Sequence, residues 1–157
     1  MSIERAYRLF FEGKIDSAKK IVKRLIEKSA SAKALFLYGL ICYREKNLSE
    51  ALWAIEKATE LEKDFYESWI LKSHILRALG RFREALDCLN TALNIQIQRE
   101  EYVDYEIFIH MAEIYMDIGD FDKACEFIDK ALEINPKDSD ALEVLKKIER
   151  IKHEKED

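Results

Sequence analysis

The chain has 157 residues, 48% of them hydrophobic and 36% charged, which is typical of a folded domain with a sizeable core. A net charge of −5 argues against non-specific nucleic-acid binding, which needs a positive surface. Four glycines and one proline exclude collagen-like and linker-rich chains and most all-β folds. Helix is therefore the expected secondary structure.

The sequence lacks the signals of a membrane or secreted protein. Its longest apolar run covers residues 34–43, whereas a membrane span needs about 20 residues. Charged residues follow Met1 where a secretory apolar region would develop. Three widely spaced cysteines predict neither a disulfide framework nor a zinc site. We expect a cytoplasmic protein; sparse Asn and Gln beside abundant Lys, Glu and Ile is a balance found in thermophile proteins.

A six-residue segment recurs four times without gaps, and each copy ends in alanine. The copies start at Gly13, Lys46, Gly80 and Gly119, and the alanines that anchor them are Ala18, Ala51, Ala85 and Ala124. The steps between these alanines are 33, 34 and 39 residues. The chain is therefore a tandem repeat of about 34 residues, with an insertion before the last copy.

Each copy contains two stretches with apolar residues at helical spacing. The position four residues after the anchor alanine is apolar in every copy, and the position twelve residues before it is small: Ala6, Gly39, Ser73 and Ala112. Residues spaced by three, four and seven share one face of a helix. Each unit is thus predicted to be a pair of antiparallel amphipathic helices that approach closely through small residues.

The turn within each pair falls five residues before the anchor alanine. Glycine occupies this position in three copies and supplies the left-handed conformation that ends a helix. In the second copy the position is Lys46, so we expect the neighbouring Asn47 to adopt the left-handed conformation instead.

These residues resemble the tetratricopeptide repeat family, whose pattern places large, small and aromatic residues before two alanines and a proline. The first copy departs most from that pattern, at Arg5 and Leu25. The fourth copy matches it at Phe108, Ala112, Tyr115, Gly119, Ala124, Ile128, Ala131 and Pro136. The third matches at Trp69, Ser73, Gly80, Ala85, Leu89 and Ala92, and the second at Leu35, Tyr38, Gly39, Ala51, Ile55 and Ala58. The resemblance implies an all-α fold, a right-handed α-α superhelix (solenoid) of four helix-turn-helix units plus a C-terminal capping helix.

We predict one repeat domain over residues 1–157, with units at about 1–31, 32–65, 66–104 and 105–138 and the capping helix at 139–153. Leu142, Leu145, Ile148 and Ile151 form the apolar stripe of that last helix. The insertion lies near residues 98–104, where Arg99, Glu100 and Glu101 favour a lengthened helix over a loop.

The residues expected of an enzyme or a cofactor site are missing. Three glycines are used in turns and Gly39 in helix packing, which leaves none for a phosphate-binding loop. His74, His110 and His153 are too scattered for a zinc site, although Glu106 or Glu113 could share a helix face with His110. Cys42 and Cys88 fall on or near packing faces. We expect no catalysis, no cofactor and no metal.

The resemblance implies that the first helix of each unit lines a concave groove, with the residues fifteen, eleven, eight and seven before the anchor alanine pointing into it. The candidate partner-binding residues are Tyr7, Phe11, Phe36, Leu40, Tyr43, Arg44, Ile70, His74, Arg77 and Glu113. Rigid aromatics among them would be the hot spots. The alternative is that packing within the chain already buries several groove residues, Phe10 and Leu40 especially.

The resemblance also limits the class of partner. Co-chaperones of this family hold a C-terminal carboxylate with lysine and asparagine at the first two groove positions. Those positions here are Ile3 and Tyr7, Phe36 and Leu40, and Ile70 and His74. The carboxylate clamp is therefore absent, and we expect a protein or peptide partner with apolar anchors, such as an amphipathic helix. Neither nucleic acid nor membrane is an expected partner.

Charge is unevenly distributed along the chain. Residues 1–31 carry a net charge of +4, and residues 105–138 carry −6. The simplest interpretation is a solvated surface. The alternatives are steering of a partner, or head-to-tail stacking of copies into a homo-oligomeric scaffold that covers the first helix.

Overall fold

The computed structural model describes residues 1–99 and 102–156. Over these residues it contains nine α-helices and no strand, which confirms the predicted all-α helical-repeat class. Two compact units are present: unit 1 is Met1–Arg81 and unit 2 is Phe82–Asp157. The helices are α1 (Ile3–Phe11), α2 (Ile15–Lys28), α3 (Ala32–Arg44), α4 (Leu48–Leu61), α5 (Tyr66–Ala78), α6 (Phe82–Gln98), α7 (Glu106–Ile118), α8 (Phe121–Ile134) and α9 (Ser139–Glu156).

Helix α3 is the centre of unit 1. It contacts α1, α2, α4 and α5, and its buried residues lie on most of its circumference rather than on a single stripe. Leu37, Ile41 and Cys42 are completely buried. A helix this apolar is stable only when neighbours cover it on several sides, which explains why its sequence is among the most hydrophobic in the chain.

The small residues of the repeat lie where helices approach most closely. All four anchor alanines are completely buried. A Cβ atom added to Gly39 of α3 would lie 3.4 Å from the carbonyl oxygen of Ala51 and 3.6 Å from the Cβ of Ala54, both on α4. The backbones of α3 and α4 are therefore in contact across these residues, as the spacing of small residues predicted.

The first helix of each repeat, α1, α3, α5 and α7, ends in the same way. The residue five before the anchor alanine has a positive φ: 78° at Gly13, 64° at Lys46, 73° at Gly80 and 89° at Gly119. The next amide donates back across the turn in each case, for example from Asn47 to the carbonyl oxygen of Cys42 at 2.9 Å. This is the Schellman arrangement that ends many helices.

The expectation for Asn47 is wrong. Lys46 itself adopts the left-handed conformation, while Asn47 has a φ of −84° and caps α4 by accepting a hydrogen bond from the amide of Glu50 at 3.3 Å. The hydrogen-bond pattern fixes the left-handed residue one position before the helix cap. The backbone of Lys46 is therefore strained, while Asn47 at the next position stabilises the start of α4 as its N-cap.

Replacing Lys46 by glycine should raise the free energy of unfolding by about 0.5 to 1 kcal/mol. Glycine removes the penalty of a Cβ atom at positive φ, and this gain outweighs the greater freedom of glycine in the unfolded chain. Urea denaturation measures the change. Lys46→Ala is the matched control, since it removes the lysine side chain but keeps the Cβ atom. A glycine variant no more stable than the alanine variant would contradict the assignment.

Part of the insertion before the fourth copy lengthens helix α6. It has 17 residues, against 14 in α2, α4 and α8, and it ends at Gln98. Its Gln96 is buried, and the side-chain oxygen accepts a hydrogen bond from the amide of Asp104 at 3.1 Å. Arg99 follows the end of the helix, and Glu100 and Glu101, also expected to extend it, lie outside the described residues.

Helix α9 covers α7 and α8 within unit 2. Its buried residues are Ala141, Val144 and Ile148, whereas Leu142 is 37% exposed. The buried face is thus rotated from the stripe predicted at 142, 145, 148 and 151. A small residue, Ala141, lies at the contact because the helices approach closely there, and a pattern based on large side chains overlooks it. Asp138 caps α9 by accepting from the amide of Ala141 at 2.8 Å.

Within residues 1–99 and 102–156, no helix is both long enough and apolar enough to span a membrane. Among the same residues, no group of three or more His, Cys, Asp and Glu side chains is placed to hold a metal ion.

Candidate protein-binding groove

The first helices of successive pairs in unit 1 lie side by side, because α3 contacts both α1 and α5. Nine of the ten predicted partner-binding residues belong to these three helices. We call them the first-helix face: Tyr7, Phe11, Phe36, Leu40, Tyr43, Arg44, Ile70, His74 and Arg77. The tenth, Glu113, belongs to unit 2.

Aromatic contacts join α3 to α5 on this face. The rings of Tyr43 and His74 have centroids 6.5 Å apart. The ring of Phe36 packs against that of Phe65, with centroids 5.2 Å apart. Phe65 precedes α5 and was not predicted, because the equivalent residues of the other copies are not aromatic and no repeat pattern marks it.

Two contacts hold α1 beside α3. The hydroxyl of Tyr7 donates to the carbonyl oxygen of Lys33 at 3.5 Å. The guanidinium of Arg44 lies 5.3 Å from the centre of the Phe10 ring, within the range of a cation–π interaction. Phe10 itself is only 6% exposed and belongs to the core, whereas its neighbour Phe11 is 79% exposed.

The surroundings of Tyr7 disfavour ionisation of its hydroxyl. Burial raises the pKa of its hydroxyl to about 12, and the negative charge of Glu67 on α5 contributes to the rise. The hydroxyl is therefore a neutral hydrogen-bond donor near pH 7. Glu67 was not among the predicted residues, since a carboxylate at the start of a helix is ordinarily explained by the helix dipole.

The apolar residues of the face are only partly available to a partner. Tyr7, Phe36, Leu40 and Tyr43 are half-buried and pack against the core of unit 1. Phe11 and Arg44 are exposed. The face is thus a preformed surface whose side chains are held from below, which lowers the entropy lost when a partner binds.

Glu113 lines a separate cleft of about 250 Å³ between α7 and α9. Its carboxylate is 3.6 Å from the Nδ1 atom of His110. The cleft is lined by Glu106, Ile109, His110, Glu113, Asp140, Glu143, Val144 and Lys147. The α9 residues were not predicted, because α9 lies outside the repeat register.

The cysteines considered as nucleophiles are poorly placed for chemistry. Cys42 and Cys88 are buried. Burial raises the pKa of the Cys42 thiol, with a further contribution from Glu50, so the reactive thiolate is disfavoured.

Comparison with known families agrees with the helix pairs and their shared turn. Residues 12–92, about half of the chain, match the family model for anaphase-promoting complex, cyclosome, subunit 3. Residues 105–138 match a tetratricopeptide repeat (TPR) model. The chain belongs to the TPR family. The four left-handed turns and the four buried alanines recur at about the 34-residue spacing of this family's repeat.

Two curated relatives align with more than half of this chain. Protein O-mannosyl-transferase TMTC1 of Homo sapiens is 28% identical over 145 residues, which cover 92% of this chain and 16% of that protein. A TPR repeat-containing protein of Methanocaldococcus jannaschii is 33% identical over 96 residues, or 60% of this chain and 28% of that protein. The chain therefore spans under a third of either relative's length.

Among the solved structures, YrrB is described as a TPR protein with an unusual peptide-binding site. It superposes with a TM-score of 0.78 and 19% identity, covering 90% of this chain and 71% of that chain. At this identity the likeness shows the fold alone.

The raised pKa of Tyr7 predicts a loss of stability at high pH. Its folded-state value, about 12, lies above the ordinary value of 10. The contribution of Tyr7 is therefore fully present below pH 10 and is lost as the pH rises through 12. Urea denaturation at several pH values should show a steeper decline in this range for the native chain than for Tyr7→Phe. Equal declines would mean that Tyr7 ionises as freely in the folded state as in the unfolded one.

Proposed function

We propose that this TPR chain is a protein-interaction module whose first-helix face binds an apolar segment of a partner protein. The observation that supports the proposal is the set of aromatic and aliphatic side chains on the neighbouring helices α1, α3 and α5, among which Phe11 is 79% exposed. An apolar surface bordered by charge is the usual mark of a binding site on a soluble domain. The description of YrrB as peptide-binding supports this class of ligand.

The chemistry of the face favours a partner with apolar anchors over a C-terminal carboxylate. The positions that would carry the lysine and asparagine of a carboxylate clamp are occupied by Ile3 and Tyr7, Phe36 and Leu40, and Ile70 and His74. Arg44, stacked on the Phe10 ring, is a cation held in place beside the aromatics. A peptide or amphipathic helix with large apolar side chains and an acidic residue near Arg44 would satisfy both features.

The module is proposed to bind without catalysis. The human relative is named as a transferase, but the matched segment is 16% of that protein. Within this chain, the glycines at the repeat turns are committed to left-handed conformations and the Cys42 thiol is buried. Binding and positioning of another protein is the activity that these residues support.

A peptide selected from a random display library on the immobilised chain provides the ligand for a direct test. We expect Phe11→Ser combined with Tyr43→Ser to weaken its binding roughly tenfold or more, since aromatic side chains dominate interface energies. Ile118→Ser, which removes another exposed apolar side chain from unit 2, is the control and should change the affinity less than twofold. Equal affinity of the native chain and the double variant would place the binding site elsewhere.

A second candidate function is self-assembly into a scaffold. The exposed Phe11 and Met1 at α1 favour it, as do the net charges of +4 over residues 1–31 and −6 over residues 105–138. A second copy covering α1 would produce a mass that rises with concentration and falls with salt and on Phe11→Ser. Sedimentation equilibrium that finds a monomer at every concentration would exclude this alternative.

A further inference from the structure

Three cations lie along one exposed side of α2. Lys20, Arg24 and Lys28 follow one another at intervals of four residues, so they share a stripe on the helix, and all three side chains are exposed. We call them the α2 basic stripe. At 1.5 Å per residue the stripe spans about 12 Å. It shares no residue with the first-helix face, so its function is a separate question.

The charges of the stripe are not neutralised by the rest of the described chain, in which none of the three residues forms an ion pair. The neighbouring Lys19 differs, because its ammonium pairs with the carboxylate of Glu45. The guanidinium of Arg24 lies 3.9 Å from the Sδ atom of Met1, which is neutral. Like charges four residues apart on a helix repel each other, so the stripe lowers the stability of α2 in the free chain.

Nearby acidic residues only partly offset this positive charge. Helix α2 exposes four cations against two acids, Asp16 and Glu27, and neither acid forms an ion pair within the residues that the structure describes. The first helix pair as a whole, residues 1–31, has a net charge of +4. Setting aside the one cation that is paired with α3 leaves +3. The surface is therefore positive, with two negative positions on it.

The other repeats show that the fold does not need these cations. The stripe occupies the positions two, six and ten residues after the anchor alanine. The equivalent residues of the other copies are Trp53, Lys57 and Leu61; Asp87, Thr91 and Ile95; and Glu126, Lys130 and Ile134. None of these sets contains more than one cation. Three copies thus form the same second helix without a row of positive charges, and packing of the repeat does not explain the row in α2.

The arrangement of charge favours one class of anionic partner. Asp16 lies four residues before Lys20, and Glu27 lies three after Arg24, so both acids are next to the stripe. The surface of an anionic membrane or the backbone of a nucleic acid carries closely spaced negative charge that would meet these acids as well. A helix carries discrete charges. Its carboxylates can repeat at the spacing of the stripe while other residue types face the two acids.

We propose that the α2 basic stripe docks an acidic helix of a partner protein, whose carboxylates at positions i, i+4 and i+8 lie opposite Lys20, Arg24 and Lys28. Docking replaces repulsion between like charges with attraction between opposite charges. The stripe is separate from the first-helix face, so one chain could hold two partner segments at once.

Synthetic helices test the charge pattern. The probe is a fluorescein-labelled peptide of about 20 residues, rich in alanine and glutamine, so that it can form a helix. It carries glutamates at i, i+4 and i+8. A matched peptide of the same composition has its glutamates on different sides of the helix. Fluorescence anisotropy with the full chain should show roughly tenfold tighter binding of the patterned peptide, which weakens as salt increases. Equal affinities of the two peptides would overturn the proposal.

Reversal of the stripe provides a charge-swap test. The triple variant Lys20→Glu, Arg24→Glu and Lys28→Glu should lose roughly tenfold or more in affinity for the glutamate peptide and should bind the corresponding lysine peptide instead. The control reverses three exposed cations of unit 2, with Lys137→Glu, Lys146→Glu and Arg150→Glu, and should change the affinity less than twofold. Equal losses in the two triple variants would reduce the effect to net charge and overturn the proposal.

A stability measurement separates binding from a structural role. The triple variant Lys20→Gln, Arg24→Gln and Lys28→Gln removes the repulsion along α2, so its urea midpoint at low salt should equal or exceed that of the native chain. Its affinity for the patterned peptide should fall roughly tenfold or more. A lower midpoint than that of the native chain would mean that the stripe serves folding, and would overturn the proposal.

Three further measurements assign the occupant, and the triple glutamine variant is the reference in each. Vesicles of phosphatidylcholine and phosphatidylserine, and a short RNA duplex, should bind more weakly than the patterned peptide; tighter binding that the variant abolishes would overturn the proposal. In sedimentation equilibrium, a dimer that the variant abolishes would assign the stripe to a second copy of this chain and would also overturn it. Phe11→Ser should leave the affinity for the peptide within twofold, which keeps this test independent of the function proposed above; a loss equal to that of the variant would overturn the assignment to α2.

Discussion

Close contact between helix backbones is the constraint on which the rest of unit 1 depends. Gly39 and Ala51 bring α3 and α4 so near that a methyl group on Gly39 would touch the carbonyl oxygen of Ala51. This contact, together with the left-handed turn at Lys46, fixes which sides of α3 and α4 face each other. Because side chains project at fixed angles from a helix, the same contact decides which residues are buried and which are displayed. The position of Phe36, Leu40 and Tyr43 on the open side of α3 is one consequence of it.

The features that recur along the chain could be predicted from the sequence. Alanine at one position of every copy and a small residue twelve before it are sufficient to predict helix pairs, their turns and the all-α fold. Recurrence is informative because every helix pair must satisfy the same packing geometry. A residue type found at the same position in four copies therefore reflects that geometry and not a peculiarity of one copy.

The features that occur once could not be predicted in this way. Lys46 adopts a conformation that its side chain disfavours because the hydrogen bonds of the turn fix that position. Phe65 packs on Phe36 from outside the repeat pattern, and α9 turns a small residue, Ala141, towards its neighbours. In a repeat protein the residues shared by all copies are needed for folding. Residues that differ between copies are therefore the better candidates for function.

The dependence of unit 1 on the α3–α4 contact is tested most directly by hydrogen exchange under native conditions. Amides of Leu37, Ile41 and Ile55 should exchange only through global unfolding, whereas those of α1, which has nine residues and fewer neighbours, should exchange through smaller openings. If the α3 and α4 amides instead exchange as fast as those of α1, the contact does not hold unit 1 together, and the account of the first-helix face fails with it.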